Sequence, residues 1–149
     1  MREIVFALEF RGGGEDVPGS PGQRRARTAA PSQTLSTTLG VDGVRARVDA
    51  AAGETAVLEA RVERFGDGTF VEEGEITYGT AGRITFTTLG RGRVVPGPVP
   101  GAVHGAVIWT ITGGAGRFAG AAGLITSNFT VSAAGDVTDH HITRLHLPD

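Results

Sequence analysis

From Thr55 to Phe65 the chain reads TAVLEARVERF, and its apolar and charged residues take strict turns. Ala56, Leu58, Ala60 and Val62 fall in one phase, with Glu59, Arg61 and Glu63 in the other. Successive side chains of an extended strand point to opposite faces, so this pattern specifies a strand with one buried face and one wet face. The same period recurs along the chain. TFVEEGEITYG places Phe70, Ile76 and Tyr78 together, and GRITFTTLG does so with Ile84, Phe86 and Thr88. Val103, Val107, Trp109 and Ile111 follow, then Ile125, Ser127, Phe129 and Val131. The last run, DVTDHHITRLHL, groups Val137, Asp139, His141, Thr143, Leu145 and Leu147. Helical periodicity is missing throughout. With EIVFALEF at the start and GVRARVDA before Ala51, the count reaches about eight strands. Short strands at this spacing predict an all-β, single-domain antiparallel sandwich or closed barrel, and closure removes exposed edges.

Two segments fall outside the alternation. Residues 11–34 are rich in Gly, Pro and Arg and read as a flexible loop or a lid; residues 90–101, GRGRVVPGPVPG, read as a Pro/Gly-rich connection at one end of the sheet. The remaining glycine-dense stretch, GGAGRFAGAAG from Gly113 to Gly123, matches a loose dinucleotide fingerprint. That fingerprint requires a helix N-terminus to receive the pyrophosphate, whereas here a period-two run follows. An architectural role fits better, with Gly113 and Gly114 turning the chain through positive φ, and Phe118 plugging the end of the core.

Composition removes several classes of function. Cysteine is absent, which excludes disulfides and thiol catalysis, and all 14 basic side chains are arginine, which excludes Schiff-base chemistry on lysine. A net charge of −2 argues against nucleic acid as a partner. The opening MREIVFALEF is broken by Glu9 and reads as a strand, not a signal peptide, and no apolar run approaches a membrane span, so a cytoplasmic protein is expected. The four histidines lie on different faces or far apart along the chain, and no metal site is expected.

The motif ITGGAGRFAGAAG, Ile111 to Gly123, followed by a strand, resembles the signature of the allene oxide cyclase barrel group, and more loosely that of dirigent proteins and polyketide spirotetronate cyclases. The resemblance implies a closed up-and-down, calycin-like barrel holding one apolar small molecule. It implies cyclase or isomerase chemistry on a polyene, epoxide or polyketide-like metabolite, achieved by orientation and without a cofactor. The alternatives are a non-catalytic barrel that binds hydrophobic small molecules, or a structural or assembly barrel with a packed interior. In such a barrel Trp109 resembles the inward aromatic that shapes the pocket, though an ordinary core tryptophan reads equally well. Glu9 or Glu3 resembles the first-strand carboxylate, unless Ile4, Phe6, Leu8 and Phe10 form the inward face. Ile125, Ser127 and Phe129 match lumen-lining positions, beside Tyr78 and Phe86 from the alternation.

Asp139 and His141 share a face, roughly 6.6 Å apart along a strand, so the carboxylate can orient the imidazole for acid–base work. A Ser127–His141–Asp139 triad can also be drawn, without a nucleophile elbow to support it. On the opposite phase Val5, Ile108, Leu124 and Ile142 predict a buried outer wall, hence a homodimer or homotrimer.

Overall fold

The computed structural model describes all 149 residues and shows nine antiparallel strands in one sheet, joined by turns and short loops, with no helix. They are β1 (Arg2–Asp16), β2 (Gln23–Gly40), β3 (Gly43–Arg64), β4 (Thr69–Tyr78), β5 (Gly82–Thr88), β6 (Gly92–Pro96), β7 (Val103–Gly116), β8 (Ala122–Val131) and β9 (Asp136–Leu147). Each of β1 to β4 pairs with the next, β5 pairs with β7, β7 with β8, β8 with β9, and β9 with β1. The ladder therefore returns on itself as a ring of hydrogen-bonded strands. Short β6 wedges between β4 and β7 at one end.

The expected alternation sets the phases. Leu58, Ile76, Ile84, Phe86, Val107, Trp109 and Ile125 are all buried in one core, with Phe129 packed against it. On β1 it is Ile4, Phe6, Leu8 and Phe10 that join this core.

Three sequence expectations are corrected. Residues 11–34 form neither a loop nor a lid: they complete β1 and begin β2, leaving only 17–22 as a turn. The glycines of β1 serve close strand approach, because a Cβ on Gly12 would run into the Arg27 carbonyl oxygen and the Thr28 Cα. The 90–101 connection contains β6. Gly113 and Gly114 continue β7 without positive φ, and the chain turns instead at Gly116 (φ 68°) and Gly120 (φ 75°). Phe118, between these two, packs on Tyr78 with ring centroids 5.4 Å apart.

The two halves of the interior differ because their inward residues differ in size. One half is filled by Phe6, Leu8, Tyr78, Ile84, Ile111 and Leu145. The other has Gly12 and Gly14 on β1, Ala26 on β2, Gly92 on β6 and Gly105 on β7. At Gly92 and Gly105 a Cβ would strike the rings of Phe70 and Phe129, which meet edge to face at 5.9 Å. Small residues on one side make room for two phenyl rings, and beyond those rings an opening remains.

Candidate functional site

The opening is a cavity of about 670 Å³. Leu58, Val62, Phe70, Val94, Phe129 and Val137 line it; Arg24 and Arg64 border it, both bonded to Asp16. Glu72, Ser127, Asp139 and Thr28 supply its other polar groups. This size suits a small ligand, and an apolar wall with a few convergent polar groups is the usual form of such a site.

Two of these polar side chains, Ser127 and Asp139, are bonded with His141, which stands behind the cavity, into a cluster that the strand pairing builds. Ser127 lies opposite His141 in the β8–β9 ladder, and Phe129 lies opposite Asp139. Asp139 thereby reaches both neighbours: Ser127 Oγ donates to its Oδ1 at 2.7 Å, and His141 Nε2 meets its Oδ2 at 2.9 Å. All three residues are buried. The imidazole is clamped between aromatic rings, stacked on Phe10 at 4.3 Å and edge-on to Trp109 at 5.0 Å, while Trp109 stacks on Phe86 at 4.2 Å. Serine and histidine both bond the same carboxylate, so the Ser–His–Asp relay drawn from the sequence is not formed.

The fourth member, Glu72, was not anticipated. It sits on β4 where β5 has left the ladder and β6 has not yet joined, and the Thr88 hydroxyl fills the gap. Glu72 N–H donates to Thr88 Oγ1 at 2.7 Å, and that hydroxyl donates back to the Glu72 carbonyl at 2.9 Å. With its backbone so fixed, the side chain enters the cavity. Its carboxyl touches the cavity space yet is surrounded by protein, and the loss of bulk water, with the Asp139 charge adding to it, pushes its pKa from 4.5 up to about 8. The indole N–H of Trp109 pulls the other way, although it makes no hydrogen bond of ordinary geometry. Glu72 is thereby biased toward its protonated form, beside Asp139. The signal was present in the sequence: Glu72 shares the parity of Phe70, Ile76 and Tyr78.

The remaining candidates separate. Ser127, Phe129 and Asp139 line the cavity; His141 and Trp109 stand behind it; Phe86, Ile125 and Tyr78 belong to the filled core. Burial raises the Tyr78 phenol pKa, with Thr143 opposing, and the hydroxyls of both residues lack partners. Glu9 is not part of the site. It lies on the outer face, where a hydrogen bond from Arg11 at 2.7 Å holds its carboxyl below the usual range, and His140 at 2.9 Å adds to this. Phe10, its neighbour, takes the inward phase instead.

No three His, Cys, Asp or Glu side chains are grouped to hold a metal ion. No helix is long and apolar enough to cross a membrane. Comparison with protein-family models, with curated proteins and with solved structures finds no match to this chain.

Proposed function

We propose that the ring is a closed up-and-down barrel of the allene-oxide-cyclase-like kind, and that it is a cofactor-independent isomerase or cyclase acting on a largely apolar small molecule held in the cavity. The observation that carries this reading is a pair of acidic side chains lining one apolar cavity: Asp139, bonded on both oxygens by Ser127 and His141, and Glu72, whose pKa its surroundings push up to about 8. An acid whose surroundings favour its protonated form, set beside a second acidic side chain fixed by hydrogen bonds, suits a division of labour in acid–base catalysis. Glu72 donates its proton to a polarised oxygen or a double bond of the substrate. The positive charge that develops faces Asp139, whose hydrogen bonds from Ser127 and His141 fix its position in advance. Loss of a proton from the substrate back to Glu72, before or after a new carbon–carbon bond closes, gives an isomer or a cyclised product. The step is redox-neutral and releases nothing. Strand order, the ITGGAGRFAGAAG motif and the apolar lining support the same family reading.

The test is a screen of polyenes, epoxides and unsaturated carbonyl compounds by the fluorescence of Trp109, the chain's single tryptophan, with product analysis in D₂O. The expected result is an isomeric product carrying solvent deuterium, lost in Glu72→Gln while ligand still binds. Turnover by Glu72→Gln at the wild-type rate sinks the proposal. Binding without conversion by the wild type makes the chain a binding protein.

A further inference from the structure

The hairpin of β2 and β3 runs well past the body of the ring. Its regular pairing is interrupted between Pro31 and Gln33, opposite Thr55 and Ala50, and resumes until Gly40 meets Gly43. Every residue from Thr34 to Thr55 is exposed, and no third strand pairs with this arm. A two-stranded hairpin alone in water is marginal at best. This one is also amphipathic. Leu35 stands opposite Val48, Thr37 opposite Ala46 and Leu39 opposite Val44, all on one face; Thr34, Ser36 and Thr38 with Asp49, Arg47 and Arg45 occupy the other. Leu39 and Val44 are 79% and 69% exposed.

The same chain carries a second uncovered apolar face. Ala7 pairs with Ile142, Ile142 with Thr126, and Thr126 with Ile108, in a row across the outer wall of β1, β9, β8 and β7; Val5 and Leu124 lie in the next row, on either side of Arg144, whose guanidinium pairs with Glu3 at the edge of this face. Val5, Ile108, Leu124 and Ile142 are between 41% and 58% exposed. Neither face has a partner within the chain.

We propose that these two faces cover each other between two copies of this chain, each arm lying with its apolar side on the other copy's β1–β9–β8–β7 wall. The areas point to two copies with reciprocal arms. Eight residue pairs at ~3.3 Å per residue give a ribbon of roughly 26 Å, burying on the order of 350 Å² on the arm and as much on the wall. One docked arm thus buries about 700 Å², which is crystal-contact size, whereas two bury about 1,400 Å², within the range of stable dimers. Reciprocal docking about a two-fold axis closes the assembly. The face bearing Arg45, Arg47 and Asp49 stays in water, with Arg47 and Asp49 ion-paired at 2.9 Å.

The absence of cysteine makes the test direct. Light scattering is expected to give a dimer for the wild type. Leu39→Asp with Val44→Asp, or Leu124→Asp with Ile142→Asp, is expected to weaken dimerisation by roughly 100-fold or more, because each pair puts two carboxylates where apolar side chains would be buried. All four positions are exposed, so native circular dichroism is expected to be retained. Under oxidation, a mixture of Val44→Cys and Ile142→Cys chains should form a covalent dimer containing one of each. A wild type that stays monomeric at about 200 µM overturns the proposal, since association follows concentration. So do Val44→Cys chains that cross-link only among themselves, which would place arm on arm, and a dimer unaffected by the wall substitutions.

Discussion

Replacing Glu72 by Gln keeps the shape and polarity of the side chain and removes its ionisation, so it isolates the free energy of burying this acid. Below pH 4.5 the wild-type carboxyl is protonated in both the folded and the unfolded chain, and its titration contributes nothing to their difference. Between 4.5 and about 8 the unfolded chain has lost the proton and the native state has kept it. The native state then binds more protons, so stability falls as pH rises, by ~1.4 kcal/mol for each pH unit. Carried to pH 8, the loss reaches about 5 kcal/mol as an upper bound, comparable with the whole stability of many domains. Urea unfolding followed by Trp109 fluorescence at pH 5, 7 and 9 measures the effect, because other titrating groups cancel in the difference between wild type and variant. The variant should gain little at pH 5 and become the more stable protein by a growing margin at pH 7 and 9. A difference that does not change with pH would refute the burial of Glu72, and with it the acid proposed for catalysis.

Other outcomes follow from the same geometry. Gly74→Ala drives a Cβ into the Glu59 carbonyl oxygen and the Ala60 Cα across the ladder, and should cost ~2–3 kcal/mol in urea unfolding. Gly135→Ala, at φ +91° but with open space around it, should cost only about 1 kcal/mol. Trp109→Ala should lose ~3–5 kcal/mol by thermal or urea unfolding and weaken ligand binding. His141→Ala leaves Oδ2 of Asp139 without its 2.9 Å partner, and should alter the pH–rate profile of turnover more than ligand affinity.

Much of the interior was legible because a half-buried strand has no freedom in the direction of its side chains. Once Leu145 and Leu147 are assigned inward, Asp139, His141 and Thr143 must follow them. The same rule applies to Glu72, but its neighbour Glu73 disguises it: two adjacent carboxylates read as surface, although parity places one inside and one outside. Arg11 to Thr34 misled for a different reason. Gly, Pro and Arg content outweighed the alternation of Arg24, Ala26, Thr28 and Ala30 against Arg25, Arg27 and Ala29, which is strand-like and is part of β2. The joining of GVRARVDA to TAVLEARVER as one strand was hidden because the alternation is blurred by AAAGE, Ala50 to Glu54, where β3 carries extra residues relative to β2. Glu9 illustrates the limit of resemblance, since Phe10 occupies the inward phase and leaves no lumen position for that carboxylate.

The division of the interior into a filled half and an open half accounts for how an unfavourable cluster is held. Glu72 and the unpartnered buried atoms of Thr28, Trp109 and His141 each weaken the native state, an unsatisfied buried polar group by ~1–3 kcal/mol. The filled half has to offset this, and its content fits the need: Trp109, Phe86 and Phe10 are almost fully buried and form one aromatic column with His141, Phe10 stacked on the imidazole, Trp109 edge-on to it and stacked on Phe86. That column also holds the imidazole, which holds the Asp139 carboxylate, so the packing that stabilises the ring is the packing that positions the charge. Substitutions that shrink the column should therefore impair stability and site geometry together. Changes at Glu72 should separate the two, improving stability while removing the proposed activity, the trade-off expected if the strain at Glu72 serves that activity.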